Sequence, residues 1–282
     1  MLYIHEPSRI GSQHGKEVML QVLDKIARAD LGKRIYALFP SHPLNRLPEM
    51  PLREMDRGHG GLIRGWGLQF GSLRRMVACD PLYRIACRAA QGRSMLNELR
   101  RINLYLIVRF FMAELTSRDI AELGVYRGGS CFFLATLLNE LYPGAKVFAL
   151  DTFEGMPETK PGLDLHVSGD FSDVSLVEIQ KSAAERGIRN IEYIKGDVRD
   201  TLRTFSAPLG LAHIDLDIYE PIVIAQDAMW KRLVPGGYLV YDDATVSSCL
   251  GATRAVEDFV MAYSVHSDQI YPHYVFRKER LD

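Results

Sequence analysis

The feature that most constrains this chain is a strand–turn–helix alternation that starts at residue 118 and runs to the C-terminus. "DIAELG" reads as a strand and "GSCFFLATLLNELY" as a helix; "AKVFAL" and "SLVEIQKSAAERG" repeat the pair. "NIEYIKG" with "DTLRTF", "LGLAHIDLD" with "PIVIAQDAMWKRL", and "GGYLVYDD" with "ATRAVEDFVMAY" continue it, and "QIYPHYVFRKE" reads as a closing pair of strands. Parallel strands cannot be joined by a tight hairpin, so each needs a crossover helix, and regular alternation therefore means a parallel sheet. The pattern predicts an α/β fold: a mostly parallel seven-stranded sheet with helices on both faces. In such sheets ligands bind outside the carboxyl ends of the strands, which is where functional residues are to be sought.

The sequence upstream has a different grammar. "GKEVMLQVLDKIARADLGKR" has apolar residues at helical spacing. "FPSHPLNRLPEMPLREMDRGHGGLIRGWG" is rich in Pro, Gly, Arg and His and has no periodic face, so residues 39–67 are expected to be irregular and mobile. Helical periodicity returns in "DPLYRIACRAAQGRSMLNELRRINLYLIVRFFMAEL", with a break near Gly92. This divides the chain into a helical and irregular extension, residues 1–100, and a principal domain, residues 101–282. The extension is expected to cover the strand ends as a lid or to make contacts with a second copy of the chain, because its apolar faces must be buried somewhere.

Composition narrows the function classes. The formal net charge of −1 gives no electrostatic case for nucleic acid as the main partner. The four cysteines, Cys79, Cys87, Cys131 and Cys249, lack metal-site spacing and read as free thiols of a reducing compartment. The longest apolar run, "LYLIVRFFMAEL", is interrupted by Arg109 and is too short for a membrane span. The N-terminus lacks the apolar region of a secretory signal, so a cytoplasmic protein is expected.

Three strand ends carry a ligand-binding grammar. The first, "AELGVYRGGS", has Gly124, Gly128 and Gly129 for a tight turn with close backbone approach, and Glu122 just before it. Its spacing is not the GxGxxG of dinucleotide binders, which weakens a nicotinamide-dependent oxidoreductase. The second, "FALDTFEGMP", puts Asp151 at the interval expected of an acid binding ribose hydroxyls, and Phe153 where it could pack on a base. The third, "YIKGDVRDTL", carries Gly196 and Asp197; Asp197 can accept from an exocyclic amine or cap the next helix.

These motifs resemble class I S-adenosylmethionine-dependent methyltransferases. More closely, "IAELGVYRGGS", "LDTFEGMP", "HIDLDIYEP" and "PGGYLVYDD" resemble the macrocin O-methyltransferase (TylF-like) family, over roughly Asn103 to Phe259. The resemblance implies a Rossmann-like fold and methylation of hydroxyls on sugars and natural products with Mg²⁺. It implies a donor site built from Glu122, Gly124, Tyr126, Arg127, Gly128, Ser130, Asp151, Thr152, Phe153, Gly196, Asp197, Val198 and Asp215.

Asp215 and Asp217 lie on one side of their strand by alternation, and Asp242 and Asp243 close another strand. Carboxylates gathered from two strand ends suit a hard divalent cation. The resemblance carries the metal role to Asp215, Asp242 and Asp243. Asp215 and Asp217 are the candidate catalytic residues, with Asp217 either the general base or the group that orients the acceptor hydroxyl. The expected acceptor is a small molecule bearing a hydroxyl, a vicinal diol of a sugar foremost, since two adjacent oxygens chelate a metal best. A catechol or phenolic O-methyltransferase would use the same residues, and a non-catalytic S-adenosylmethionine-binding protein would have no need of the acidic cluster. His166 and Asp170, in the polar loop "PETKPGLDLHVSGDFSDVS", could touch substrate if that loop is a lid, but His166 and His273 read as ordinary histidines.

Overall fold

The computed structural model describes residues 62–63, 67–68 and 71–279. The helix expected over 15–34 lies outside the described residues. So does the irregular segment 39–67, apart from an antiparallel pairing of Leu62–Ile63 with Gly67–Leu68. The chain divides into two units along the sequence, the second beginning at Met76. Helix α1, Gly71–Cys79, runs across that boundary, and all further elements belong to the second unit.

The second unit opens with helices. Helix α2, Pro81–Ala89, begins where Asp80 caps it, its carboxylate accepting from the Leu82 N–H at 2.8 Å, with Pro81 in the first turn where no N–H is missed. Helix α3, Glu98–Leu106, starts at the Asn97 cap and passes into one π-helical turn, Ile107–Phe111. The run "LYLIVRFF" is thus helical as expected, with Ile107 and Val108 buried and Phe110 and Phe111 exposed.

Five strands alternate with helices from there on. They are β1 (Ile120–Leu123), β2 (Val147–Asp151), β3 (Ile191–Lys195), β4 (Leu209–Ile214) and β5 (Leu233–Tyr241). Helices α4 (Gly129–Leu141), α5 (Leu176–Glu185), α6 (Val198–Thr201), α7 (Tyr219–Arg232) and α8 (Leu250–Tyr263) connect or follow them. The sheet order is β3-β2-β1-β4-β5-β6, parallel except for β6 (Tyr274–Arg277), which runs antiparallel beside β5. Among the described residues this sheet has six strands where seven were expected. The segment before β6 turns at Pro272, which has no N–H to donate, and Gln269 makes only an isolated bridge to Val275.

The helices sit where their sequences require. "GSCFFLATLLNEL" is apolar nearly all round, and in α4 it is buried nearly all round, enclosed between the sheet and α2, with Tyr83 edge-on to Phe133 at 5.9 Å. On the other face Trp230 of α7, Phe259 of α8 and Phe276 of β6 close the core, with ring centroids 5.3 and 5.1 Å apart along that series. Among the described residues no helix is long and apolar enough to cross a membrane.

Strand order reverses between β1 and β4, so the crevice lies there. Register fixes what faces it. Leu123 pairs with Ile214 and Ile214 with Tyr241, so the residues that follow, Gly124, Asp215 and Asp242, emerge side by side at the carboxyl edge.

Candidate active site

A cleft of about 330 Å³ opens over that edge, lined from the ends of β1 through β5 and from the segment between α2 and α3. At its donor end the chain turns after β1. Gly124 has φ +88°, and a Cβ there would lie 1.7 Å from the Asp215 carbonyl oxygen, so only glycine lets the β1 and β4 ends approach so closely. Gly129 meets the same demand on the other side: its Cβ would fall 2.2 Å from the Ser94 backbone, where the α2–α3 segment crosses the start of α4.

Asp151, at the end of β2, locks this turn. One carboxylate oxygen accepts from the Val125 and Tyr126 N–H groups at 2.6 and 2.9 Å, and the other from the Phe153 N–H at 2.6 Å. Tyr126 and Phe153 both have left-handed backbones, φ +47° and +53°, which these bonds help to hold. Asp197 caps α6 and also takes a bidentate pairing from Arg199, at 3.0 and 2.7 Å. Burial opposes ionisation of Asp197, but the Arg199 guanidinium and backbone N–H hold its carboxyl below the usual range.

At the opposite end, oxygens of Asp215, Asp242 and Asp243 lie within 4.8 Å of one another. Two unit charges 4 Å apart repel by about 4 kcal/mol at an effective dielectric of 20. Three such pairs rival the whole net stability of a domain, about 5–15 kcal/mol, so the three cannot all stay ionised without a cation. Asp242 is the one that stays charged. Burial works against it, but His213 and His273 hold it far below the usual carboxylate range. Nε2 of His273 donates to it at 2.8 Å, His213 lies at 3.6 Å, and the Arg100 guanidinium of α3 pairs with its other oxygen. Asn103 donates to Nδ1 of His273 at 3.0 Å, which fixes the tautomer that can donate to Asp242. Burial alone would keep His213 neutral, but Asp242 and Glu122, the latter at 3.3 Å, raise it to about 9, so it is an imidazolium at neutral pH. Asp215 and Asp243 are pushed well above the usual carboxylate range, first by burial and then by the neighbouring carboxylates.

Asp217 stands beside this cluster in a left-handed conformation, φ +59°, with its N–H donating to Asp243 at 2.9 Å. The Cys249 thiol donates to its Oδ1 at 3.4 Å, and Nε2 of His166 is 3.7 Å from that oxygen. Burial pushes Asp217 up, against the pull of His166.

Of the residues expected from the sequence, Gly124, Tyr126, Ser130, Asp151, Thr152, Gly196, Asp197, Val198, Asp215, Asp217, Asp242 and Asp243 line the cleft. Four others do not. Glu122 is buried behind it against His213, Arg127 points outward to Asp173, and Gly128 caps α4. Phe153 is buried edge-on to Tyr193 at 6.3 Å rather than open to a base. The sequence reading missed Arg93, Leu96 and Arg100, which arrive from the α2–α3 segment, and Phe171 and Cys249; His166, named there as a loop residue that could touch substrate, also lines the cleft. Arg100 and Cys249 carry no local motif, and the only signal for His166 was its place near an acid in a polar loop.

The model of the macrocin O-methyltransferase (TylF) family matches residues 69–271. A 4′-O-methyltransferase of 8-demethyl-8-(2,3-dimethoxy-α-L-rhamnosyl)-tetracenomycin C from Streptomyces olivaceus is 31% identical over 188 residues, covering 61% of this chain and 69% of that protein. The mycinamicin III 3″-O-methyltransferase of Micromonospora griseorubida is 26% identical over 180 residues, 58% of this chain and 70% of that protein. The solved structure of the O-methyltransferase NovP superposes with a TM-score of 0.61 at 21% identity, covering 74% of this chain and 95% of that one. The fold is therefore the Rossmann-like class I methyltransferase fold.

Proposed function

The chain belongs to the macrocin O-methyltransferase family and is an S-adenosylmethionine-dependent O-methyltransferase, and we propose that it methylates a sugar hydroxyl of a glycosylated natural product with the help of Mg²⁺. The observation that carries this reading is the convergence of the Asp215, Asp242 and Asp243 oxygens within 4.8 Å at one end of a cleft whose other end is the Asp151-locked glycine turn. The names of both curated relatives above, acting on sugars of glycosylated metabolites, support the acceptor class.

The donor set fits a hard divalent cation: three carboxylates, enclosed, with two of them short of positive charge. In this reading Asp215, Asp242 and Asp243 hold Mg²⁺, which when bound lowers the cost of negative charge on the acceptor oxygen. His273, Asn103 and Arg100 keep Asp242 ionised and aimed. The glycine turn and Asp151 take the donor, Asp151 through the one lone pair on Oδ1 that its backbone partners leave free for a ribose hydroxyl. Asp197 and Val198 border the adenine. Asp217 accepts a hydrogen bond from the acceptor hydroxyl and so aligns its oxygen with the donor methyl.

The test is direct. Purified protein is incubated with S-adenosylmethionine and the rhamnosylated tetracenomycin named above as probe, beside other deoxyhexosides of polyketides, and both products are followed by mass spectrometry. Methylation of a sugar hydroxyl, lost in excess EDTA and restored by Mg²⁺, is expected. Methyl transfer undiminished in EDTA, with no metal in the protein, would remove the metal role and leave the aspartates structural.

A further inference from the structure

Among the described residues, Asp242 is the one clustered carboxylate whose two oxygens are both engaged, and they face different surroundings. Oδ1 takes Nε2 of His273 at 2.8 Å, with Nε2 of His213 3.6 Å away. Both imidazoles are wholly buried and neither lines the cleft. Oδ2 takes the Arg100 guanidinium, and Arg100 does line the cleft. A cation that enters from the cleft therefore reaches Asp242 at Oδ2, where a positive group already sits.

Arg100 is built to give way. It stands in the first turn of α3, where its backbone N–H donates to the Asn97 cap at 3.0 Å, so the backbone is fixed without help from the side chain. Among the described residues Asp242 is the only hydrogen-bond partner of its guanidinium, and the contact is made by one nitrogen rather than by the two-pronged fork. The Arg100 side chain is 14% exposed and that of Asp242 3%, so the guanidinium, on its long rotatable stem, is the partner that can move outward.

We propose that Arg100 is the resident counter-ion of the metal-free acceptor end, and that its guanidinium and Mg²⁺ exclude one another from Oδ2 of Asp242. This rests on the metal reading above and adds what sets the affinity of that site. On loading, Arg100 gives up Asp242 and turns its N–H groups to the cleft. Two consequences follow from charge alone. Without the guanidinium the metal-free carboxylates repel one another unrelieved, so the fold loses stability. With that positive charge gone, a cation is held more tightly. A divalent ion gains twice what a proton gains, so protons taken up by the cluster do not cancel the effect.

The experiment uses the full chain, stripped of metal with EDTA and desalted, and titrates it with Mg²⁺ alone in a calorimeter. Arg100→Gln is expected to bind Mg²⁺ roughly 10- to 100-fold more tightly than the wild type, and to melt at a lower temperature when metal-free. Arg100→Lys keeps a charge that one nitrogen can deliver, and its Kd should stay within about threefold of the wild-type value. In the wild type, the guanidinium N–H signals of Arg100, assigned by their loss in Arg100→Lys, should shift and exchange faster with water as Mg²⁺ is added. Signals unmoved at saturating Mg²⁺ overturn the inference alone, and this measurement decides even if Arg100→Gln does not fold without metal. An affinity in Arg100→Gln equal to or weaker than that of the wild type overturns it too, by making Arg100 a packing residue or a support of the site. Wild-type protein that binds no Mg²⁺, or binds it equally well after Asp215→Asn, fails one step earlier and takes the metal reading down with it.

Discussion

The two ends of the cleft differ in how their charges are settled. At the donor end Asp151 is surrounded by donors the fold itself supplies: three backbone N–H groups at 2.6–2.9 Å. Its charge is satisfied before any ligand arrives, and the turn it holds is already shaped. At the acceptor end four carboxylates, Asp215, Asp217, Asp242 and Asp243, face the same space with Arg100, His213 and His273 gathered around only one of them, Asp242. Asp215 and Asp243 are left with raised affinity for protons and, among the described residues, no ion pair of their own; Arg100 acts on Asp243 only from its place beside Asp242. One half of the site is complete as a scaffold; the other is built to be completed by a cation.

The sharpest way to break this contrast is to relieve the acidic end. Asp215→Asn should lower activity by at least about 100-fold, the order expected when a metal site loses a ligand or a close supporting group. The metal-free variant should be no less stable than the wild type, because repulsion falls. The linkage has a definite sign. A group whose folded pKa is raised contributes stability when protonated, and that contribution is lost as pH rises through the folded pKa. The wild-type metal-free protein should therefore lose stability as pH rises above about 4, the ordinary carboxylate value. Mg²⁺ should return it, by about 2.7 kcal/mol at a hundred times Kd, or on the order of 5–10 °C in Tm for a domain this size. That gain should grow with pH and be small in Asp215→Asn. Thermal scans with and without Mg²⁺ at several pH values check it. Equal Tm gains in both proteins would mean the cation binds elsewhere.

The next test falls on the donor end. Asp151→Ala should weaken S-adenosylmethionine binding roughly 10- to 100-fold, each charge-assisted bond being worth about 1.5–3 kcal/mol. It should leave the Mg²⁺-dependent gain in Tm as it was. Calorimetry that shows unchanged affinity would reduce Asp151 to a clamp on the glycine turn.

The same contrast explains what could be read from the sequence. Period-2 strands and helices with fixed connections are local patterns, so the sheet, the order of its elements and the carboxyl-edge position of Gly124, Asp151, Asp215, Asp242 and Asp243 were all legible. The closing strand pair was not, because Gln269 could pair only once before the turn at Pro272. Nor were the groups that settle charge at the acceptor end. Arg100 lies 142 residues from Asp242, Asn103 lies 170 from His273, and Cys249 lies 83 from His166. Such partners are chosen by packing across the fold, and nothing in their immediate neighbours marks them. His273 read as an ordinary histidine for that reason, although it holds Asp242 in its charged form.

Asp197 offers the smallest effect and the finest distinction, because the sequence left it two roles and the structure fills one of them. Its side chain caps α6, taking the Arg199 N–H at 2.8 Å, and Arg199 turns back on both carboxylate oxygens. Oδ1 takes both the Arg199 N–H and its Nε, but Oδ2 takes only Nη2 and keeps a lone pair for an adenine amine, so capping and donor binding are compatible. Asp197→Asn separates them. Asparagine caps helices about as well as aspartate, so the fold should hold, with a change in stability below about 1 kcal/mol. The amide cannot answer the Arg199 guanidinium in both places, and with 29% and 22% of these side chains exposed that ion pair is worth little. If Asp197 only caps and steadies α6, donor affinity should change by less than about threefold, equivalent to well under 1 kcal/mol. If it also accepts from the adenine amine, losing the charged acceptor should weaken binding by about tenfold while S-inosylmethionine, which lacks that amine, binds the wild type and the variant alike. A tenfold loss for both ligands would trace instead to a displaced Arg199, and Asp197 would then shape the donor end without touching the base.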